Sequence, residues 1–177
     1  MQSQLNYIPK GIYRDQLLKN TGGLFDYGWK SNVVVDQCRQ LLAAFIKGDS
    51  SAGIQYLAIG TGNPAWDASP QSTPSTTTFQ LADSSPFIVS TSDSNVSIDF
   101  LDSADEITSQ TTNRVQFTVT LGPGQPPPPG SDASYPLREF ALFGQIGSSD
   151  FMIDYVRHAV INKGVDDTLT RTIRLAF

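Results

Sequence analysis

The chain is nearly empty of the residues on which most catalytic chemistry depends. It holds one histidine and one cysteine among 177 residues. A single cysteine excludes an internal disulfide. Cys38 reads instead as a small buried apolar residue, as suits folding in a reducing cytoplasm. His158 lies beside Arg157 in an alternating stretch, where a lone histidine is structural. With no second histidine and no cysteine pair, a zinc cluster is excluded. Charge is sparse as well, at 16% of residues with a formal net charge of −5. The basic residues are scattered, whereas duplex binding needs them clustered to displace counterions. Direct nucleic-acid partners and anionic membranes are therefore not expected. No window approaches the roughly 18 apolar residues of a membrane span. Met1–Asn6 lacks the basic and apolar parts of a signal peptide. There is no Gly-x-Ser-x-Gly elbow and no phosphate-binding Gly-x4-Gly-Lys-Ser/Thr loop. Gly60-Thr61-Gly62 lacks a third glycine and a following helix, so it reads as a turn. Asp99, Asp102, Asp105 and Glu106 form an acidic cluster, as do Asp166 and Asp167. Such groups in loops cap turns or stay solvated, and the first cluster lacks the glycine and spacing of a calcium loop. The expectation is a non-enzyme with no cofactor and no metal.

What the chain has in abundance is uncharged polar residues, chiefly Ser, Thr, Asn and Gln. These suit loops and exposed strand faces better than helix interiors. Residues 1–30 read as an extended arm, interrupted by Pro9, Gly11, Gly22, Gly23 and Gly28. The arm carries Tyr7, Ile8, Ile12, Tyr13, Leu24, Phe25, Tyr27 and Trp29. A disordered tail is poorer in aromatics, so the arm should pack on its own domain or on a neighbouring subunit. Residues 31–177 read as one domain. Within it, residues 31–47 give the clearest helix, with Ser31 or Asn32 as cap and Gly48 as stop. Val34, Cys38, Leu41, Leu42 and Phe45 make its apolar stripe.

The rest is strand and loop. Ile54–Gly60 is continuously apolar, as for a strand covered on both faces. Trp66, in the loop beyond, is a candidate anchor for packing or for a partner. Residues 68–78 are Ser/Thr-rich with two prolines, which makes a surface loop. Val96–Phe100 alternates, and Arg114–Leu121 alternates without a fault. Leu137–Gly144, Phe151–Val160 and Leu169–Phe177 follow. Short links between sequential strands favour antiparallel pairing, which predicts a four-stranded unit from Asn113 onward. Its first link is long and contains Pro126–Pro129. A stiff segment of that kind should protrude, with Pro127 and Pro128 as a spacer or subunit contact. The fold expected is mainly β: an antiparallel β-sandwich with one amphipathic N-terminal helix and an extended N-terminal arm.

The C-terminal segments Leu137-Arg138-Glu139-Phe140-Ala141-Leu142-Phe143-Gly144, Met152–His158 and Leu169–Phe177 resemble structural proteins of tailed bacteriophages and related contractile injection systems. In tail-fibre, collar and baseplate-associated proteins, a Glu-aromatic-x-Leu-Phe-Gly strand precedes a hairpin and a closing Thr-rich strand that ends in Phe. Tyr56–Gly62 followed by Trp66-Asp67 looks like the opening strand of such domains. The resemblance spans about Ile54 onward. It implies a homo-oligomeric particle subunit, made in the host cytoplasm and placed in a virion or injection particle. Its partners would be other particle subunits, at the baseplate or fibre attachment, with a neck, collar or tail-terminator position as the alternative. The residues expected to bind partners are Tyr7, Tyr13, Phe25, Tyr27, Trp29, Trp66, Pro127 and Pro128. A second reading is a carbohydrate-binding sandwich for a host-surface glycan, with Trp66 and Tyr135 stacking on sugar rings.

Overall fold

The computed structural model describes residues 9–68 and 72–177. Ten strands and one α-helix follow in the order β1 (Lys10–Leu18), β2 (Leu24–Val34), α1 (Asp36–Lys47), β3 (Ser51–Gly60), β4 (Phe87–Ser90), β5 (Val96–Leu101), β6 (Ile107–Thr108), β7 (Arg114–Leu121), β8 (Ser134–Ile146), β9 (Ser149–Gly164) and β10 (Thr168–Ala176). A short 3-10 turn spans Pro64–Ala68.

All strand pairs are antiparallel, in one sheet of order β4-β3-β8-β9-β2-β1-β10-β7-β5-β6. The sheet curls, and β2 is its corner. Residues Leu24–Asn32 pair with β1, whereas Val33 and Val34 pair with Tyr155 and Asp154 of β9. Curling brings the inner faces of the two halves into one core. Phe117, Val119, Leu169 and Ile173 meet Leu57, Ile59, Phe140 and Val156 there. The Tyr13 ring packs edge-on to Phe140 with centroids 5.1 Å apart.

The mainly antiparallel β fold with one helix is present. The pairing forms one curled ladder, continuous through β2. The expected four-stranded C-terminal unit is replaced. β8 pairs with β9, but β10 pairs with β7 and β1, and the β1–β2 hairpin lies between β9 and β10.

Of the stretch read as an arm, Lys10–Lys30 belongs to that hairpin, and residues 1–8 lie outside the described residues. Glycine supplies the geometry at two places. Gly11 leaves room for the Asn32 side chain, which a Cβ would meet at 1.9 Å. Gly28, at φ +68°, forms the bulge where β2 fits two residues against Asp15. The helix begins later than expected, at Asp36 with Val35 as its cap residue and no side-chain cap. The β-branched run Val33–Val35 favours extended backbone. Asp36 N–H donates to the Thr76 carbonyl in place of a cap. Gly48 ends the helix in the left-handed conformation, as expected. Cys38 and Leu41 are buried, but Phe45 is 71% exposed and does not belong to the stripe.

Candidate functional site

The interior holds a polar network that the apolar periodicity hides. Asp15 points inward from β1 and accepts two hydrogen bonds from Arg171 of β10, at 2.6 and 2.9 Å. The Arg171 guanidinium lies 3.8 Å from the Phe140 ring centroid. Arg171 Nη2 reaches Nε2 of His158 at 3.1 Å, and Nδ1 of His158 meets the Ala159 carbonyl at 2.8 Å. A neutral imidazole protonated on Nδ1 satisfies both contacts. Burial, helped by the Arg171 charge, pushes His158 down to about 4. Asp154 is also fully enclosed. Burial pushes its carboxyl up to about 7, against donation from Leu142 N–H and the Asn32 amide. Burial likewise pushes the Cys38 thiol up to about 12. These groups are 4% exposed or less. Asp15, His158 and Arg171 tie β1, β9 and β10 together in the interior.

A second network fastens a surface loop. Buried Glu139 accepts from the backbone N–H groups of Ala82 and Asp83, at 3.0 and 2.7 Å, and from the Tyr155 hydroxyl. Leu81 is thereby held over Ala58, Ala141, Phe143 and Met152, the second face of β3, β8 and β9. Beside it, Arg138 makes a two-point contact with Asp67, at 2.9 and 2.7 Å. The acidic clusters are occupied locally. Asp102 accepts from Ala104 and Glu106 N–H, Asp105 pairs with Arg114 and Arg174, and Asp167 pairs with Lys19. Among the described residues, no three His, Cys, Asp or Glu side chains are placed to hold a metal. No described helix is long and apolar enough to cross a membrane.

The outer face of β2-β1-β10-β7-β5 is different. Trp29, Arg14, Thr172, Thr118 and Ser97 stand in one row across five strands. Trp29 is 39% exposed, and the Arg14 and Arg174 guanidinium groups lie 6.0 and 4.5 Å from its ring. At the turn end of the hairpin, Leu24 is 61% exposed on this face with Leu18 opposite it, and Phe25, 53% exposed, projects from the other face at the strand edge. From Leu24 to Asn32 the edge of β2 away from β1 has no ladder partner among the described residues. Exposed aromatic and aliphatic side chains thus lie beside an open strand edge, a combination that monomeric proteins usually cover or blunt.

The expected partner residues divide accordingly. Trp29 is on the outer face, whereas Phe25, paired with inward-facing Leu17, is exposed on the other face of β2 at its open edge. Tyr27 is half-buried, with the Lys30 ammonium 5.8 Å from its ring. Tyr13 is a core residue, 3% exposed, because it faces inward from β1. Tyr7 lies outside the described residues. Trp66 is half-buried on the 3-10 turn, under the Arg157 guanidinium at 4.8 Å and against Gly62. The proline loop does not protrude freely. Gly124 N–H bonds to the Val165 carbonyl, Lys163 Nζ bonds to the Gly122 carbonyl, and Pro126 is buried. Pro127 is exposed and Pro128 half-buried. Tyr135, the other proposed sugar-stacking residue, is 6% exposed and donates to the Ile59 carbonyl. Sequence reasoning missed Leu18 as an exposed residue, and also the exposed pair Phe45 and Ile46 at the end of α1.

Comparison with protein-family profiles, with curated proteins and with solved structures returned no match to this chain.

Proposed function

We propose that the chain is a structural subunit of a phage tail or phage-like contractile particle, at the baseplate or fibre attachment, that works by protein–protein assembly. The observation that carries this reading is the exposed Leu18, Leu24 and Trp29 on the outer face, with Phe25 exposed on the other face at the open edge of β2. The Glu139-Phe140-Ala141-Leu142-Phe143-Gly144 strand and the closing Leu169–Phe177 strand supply the kind of assembly. The curled sheet is, in the same reading, a β-sandwich bent through β2. Burying one Trp and one Phe at about 25 cal/mol per Å² is a substantial share of what an interface of this size needs.

Light scattering coupled to size exclusion tests it. The parent chain should form a defined homo-oligomer at micromolar concentration. Phe25→Ser with Trp29→Ser should weaken association about tenfold or more, with circular dichroism unchanged. A chain that stays monomeric at high concentration, and whose antibodies label no particle, removes the proposal.

A further inference from the structure

We propose that the fork between β2 and β9 is a pocket for one oxyanion, and that the carboxylate of an acidic side chain on a partner protein fills it. The identity of that source rests on the assembly reading; the pocket does not.

The two strands pair only through Val33↔Tyr155 and Val34↔Asp154. Beyond that point they diverge, and a cavity of about 260 Å³ opens, lined by Lys30, Ser31, Asn32 and Arg157, with Ser72 and Thr73 from the loop above. No carboxylate lines it. Its two cations are also without anionic partners. Every other arginine of the chain lies within 4 Å of a carboxylate, in pairs with Asp26, Asp36, Asp105, Asp67 or Asp15. Arg157 is the exception among the described arginines, and Lys30, like Lys10 and Lys163, makes no ion pair with a described residue.

Arg157 is nevertheless held in position. Its guanidinium lies over the Trp66 ring at 4.8 Å, and its Nε donates to the Tyr155 hydroxyl at 3.2 Å. The remaining guanidinium N–H groups are left for an acceptor. Lys30 projects from the facing strand. The acids behind the pocket are committed elsewhere. Asp154 is bonded to Asn32 and Leu142, and Asp15 to Arg171. Glu139, across from Arg157 on β8, reaches it only through the Tyr155 hydroxyl and also accepts from Ala82 and Asp83 N–H. A chain of net charge −5 thus keeps two cations without a direct ion pair facing one small cavity. A planar fork of donors, an ammonium and hydroxyls match a single carboxylate, phosphate or sulfate. Two cations are too few for a polyanion such as nucleic acid.

The test is a chemical-shift titration of the full chain, following the amides of Ser31, Asn32 and Arg157. The probes are inorganic phosphate, acetate, a short Glu-containing peptide and its Gln counterpart, all at constant ionic strength. Saturable shifts with the Glu peptide and none with the Gln peptide support the proposal. So does a dissociation constant at least tenfold weaker in Lys30→Gln and kept in Lys30→Arg. Lys30 is exposed, with its ammonium 5.8 Å from the Tyr27 ring, so the variant should fold; Arg157→Lys, which keeps charge but loses the fork, is the second probe. Binding of phosphate or acetate without the peptide upholds the pocket and overturns the partner side chain as its source. No saturable shift with any probe, or equal binding in Lys30→Gln, overturns the pocket. Oligomeric state is measured separately, so a monomeric chain that still binds anions separates the two readings.

Discussion

The chain contains two long hairpins that the fold treats in opposite ways. β8–β9 is covered on both sides. One side faces the opposing half of the curled sheet, and the other lies under Leu81 and its loop. β8 consequently carries an unbroken buried run from Leu137 to Gly144. β1–β2 is covered on one side only. Its inner face supplies Tyr13, Asp15 and Leu17, and its outer face and edge stay open. The difference separates what holds the molecule together from what it offers to others. β8–β9 fastens the fold, while β1–β2 is half fastener and half surface.

The comparison can be broken most severely at Asp15. Asp15→Asn leaves Arg171 charged, fully buried and without its counter-ion. Removal of one partner from such a pair costs about 3–5 kcal/mol. Urea denaturation should show that loss, and it should be far larger than for any outward-facing position of β1. A loss below 1 kcal/mol would mean that the inner face of β1 is no fastener.

The clamp on β8–β9 comes next. Glu139→Gln exchanges a two-oxygen acceptor for one oxygen and an amide that cannot accept from Asp83 or Ala82. The expected cost is about 1–3 kcal/mol, with faster hydrogen exchange at Ala82 and Asp83. Unchanged exchange there would detach Glu139 from the loop and leave Leu81 to cover the sheet alone.

A third effect is one of pH and is spread over several pH units. Asp154 has a folded-state value near 7, above the ordinary 3.8. Its contribution to stability is present below about 4 and is lost as pH rises through 7. His158 has the opposite sign. Its folded value near 4 lies below 6.5, so stability is lost as pH falls from about 6.5 to 4. Asp154→Asn should leave only the histidine limb. Relative to the parent, the variant should gain up to about 1.4 kcal/mol per pH unit between 4 and 7. Denaturation at pH 5 and pH 8 measures this, and parallel profiles would show that Asp154 does not titrate in that range.

Strands whose outward faces meet water were legible from alternation, and β7 runs from Arg114 to Leu121 as expected. β1 was not legible, for a reason visible at Gly11 and Asp15. Both face inward, yet one is read locally as a breaker and the other as a surface acid. Asp15 is inward because Arg171 meets it from β10, 156 positions away in sequence. No local pattern carries that information. Pairing partners were illegible on the same ground, since β10 alternates identically whether its neighbour is β9 or β1. For the candidate surface, residue type indicated that the aromatics would bind something. It could not separate Tyr13 from Trp29, because the face each one takes depends on the register across the Gly28 bulge. Lys30 and Arg157 gave no signal at all. Their distinction is the lack of a carboxylate nearby, which only the folded chain defines.

β2 belongs to both halves of the molecule, pairing with β1 through Leu24–Asn32 and with β9 through Val33 and Val34. Sliding β2 by two positions against β1 would drag Val33 and Val34 off Tyr155 and Asp154. The strand therefore acts as a ruler: the alignment chosen on one side of the curl sets the alignment on the other, and neither half can be assembled in a wrong frame while the other is right.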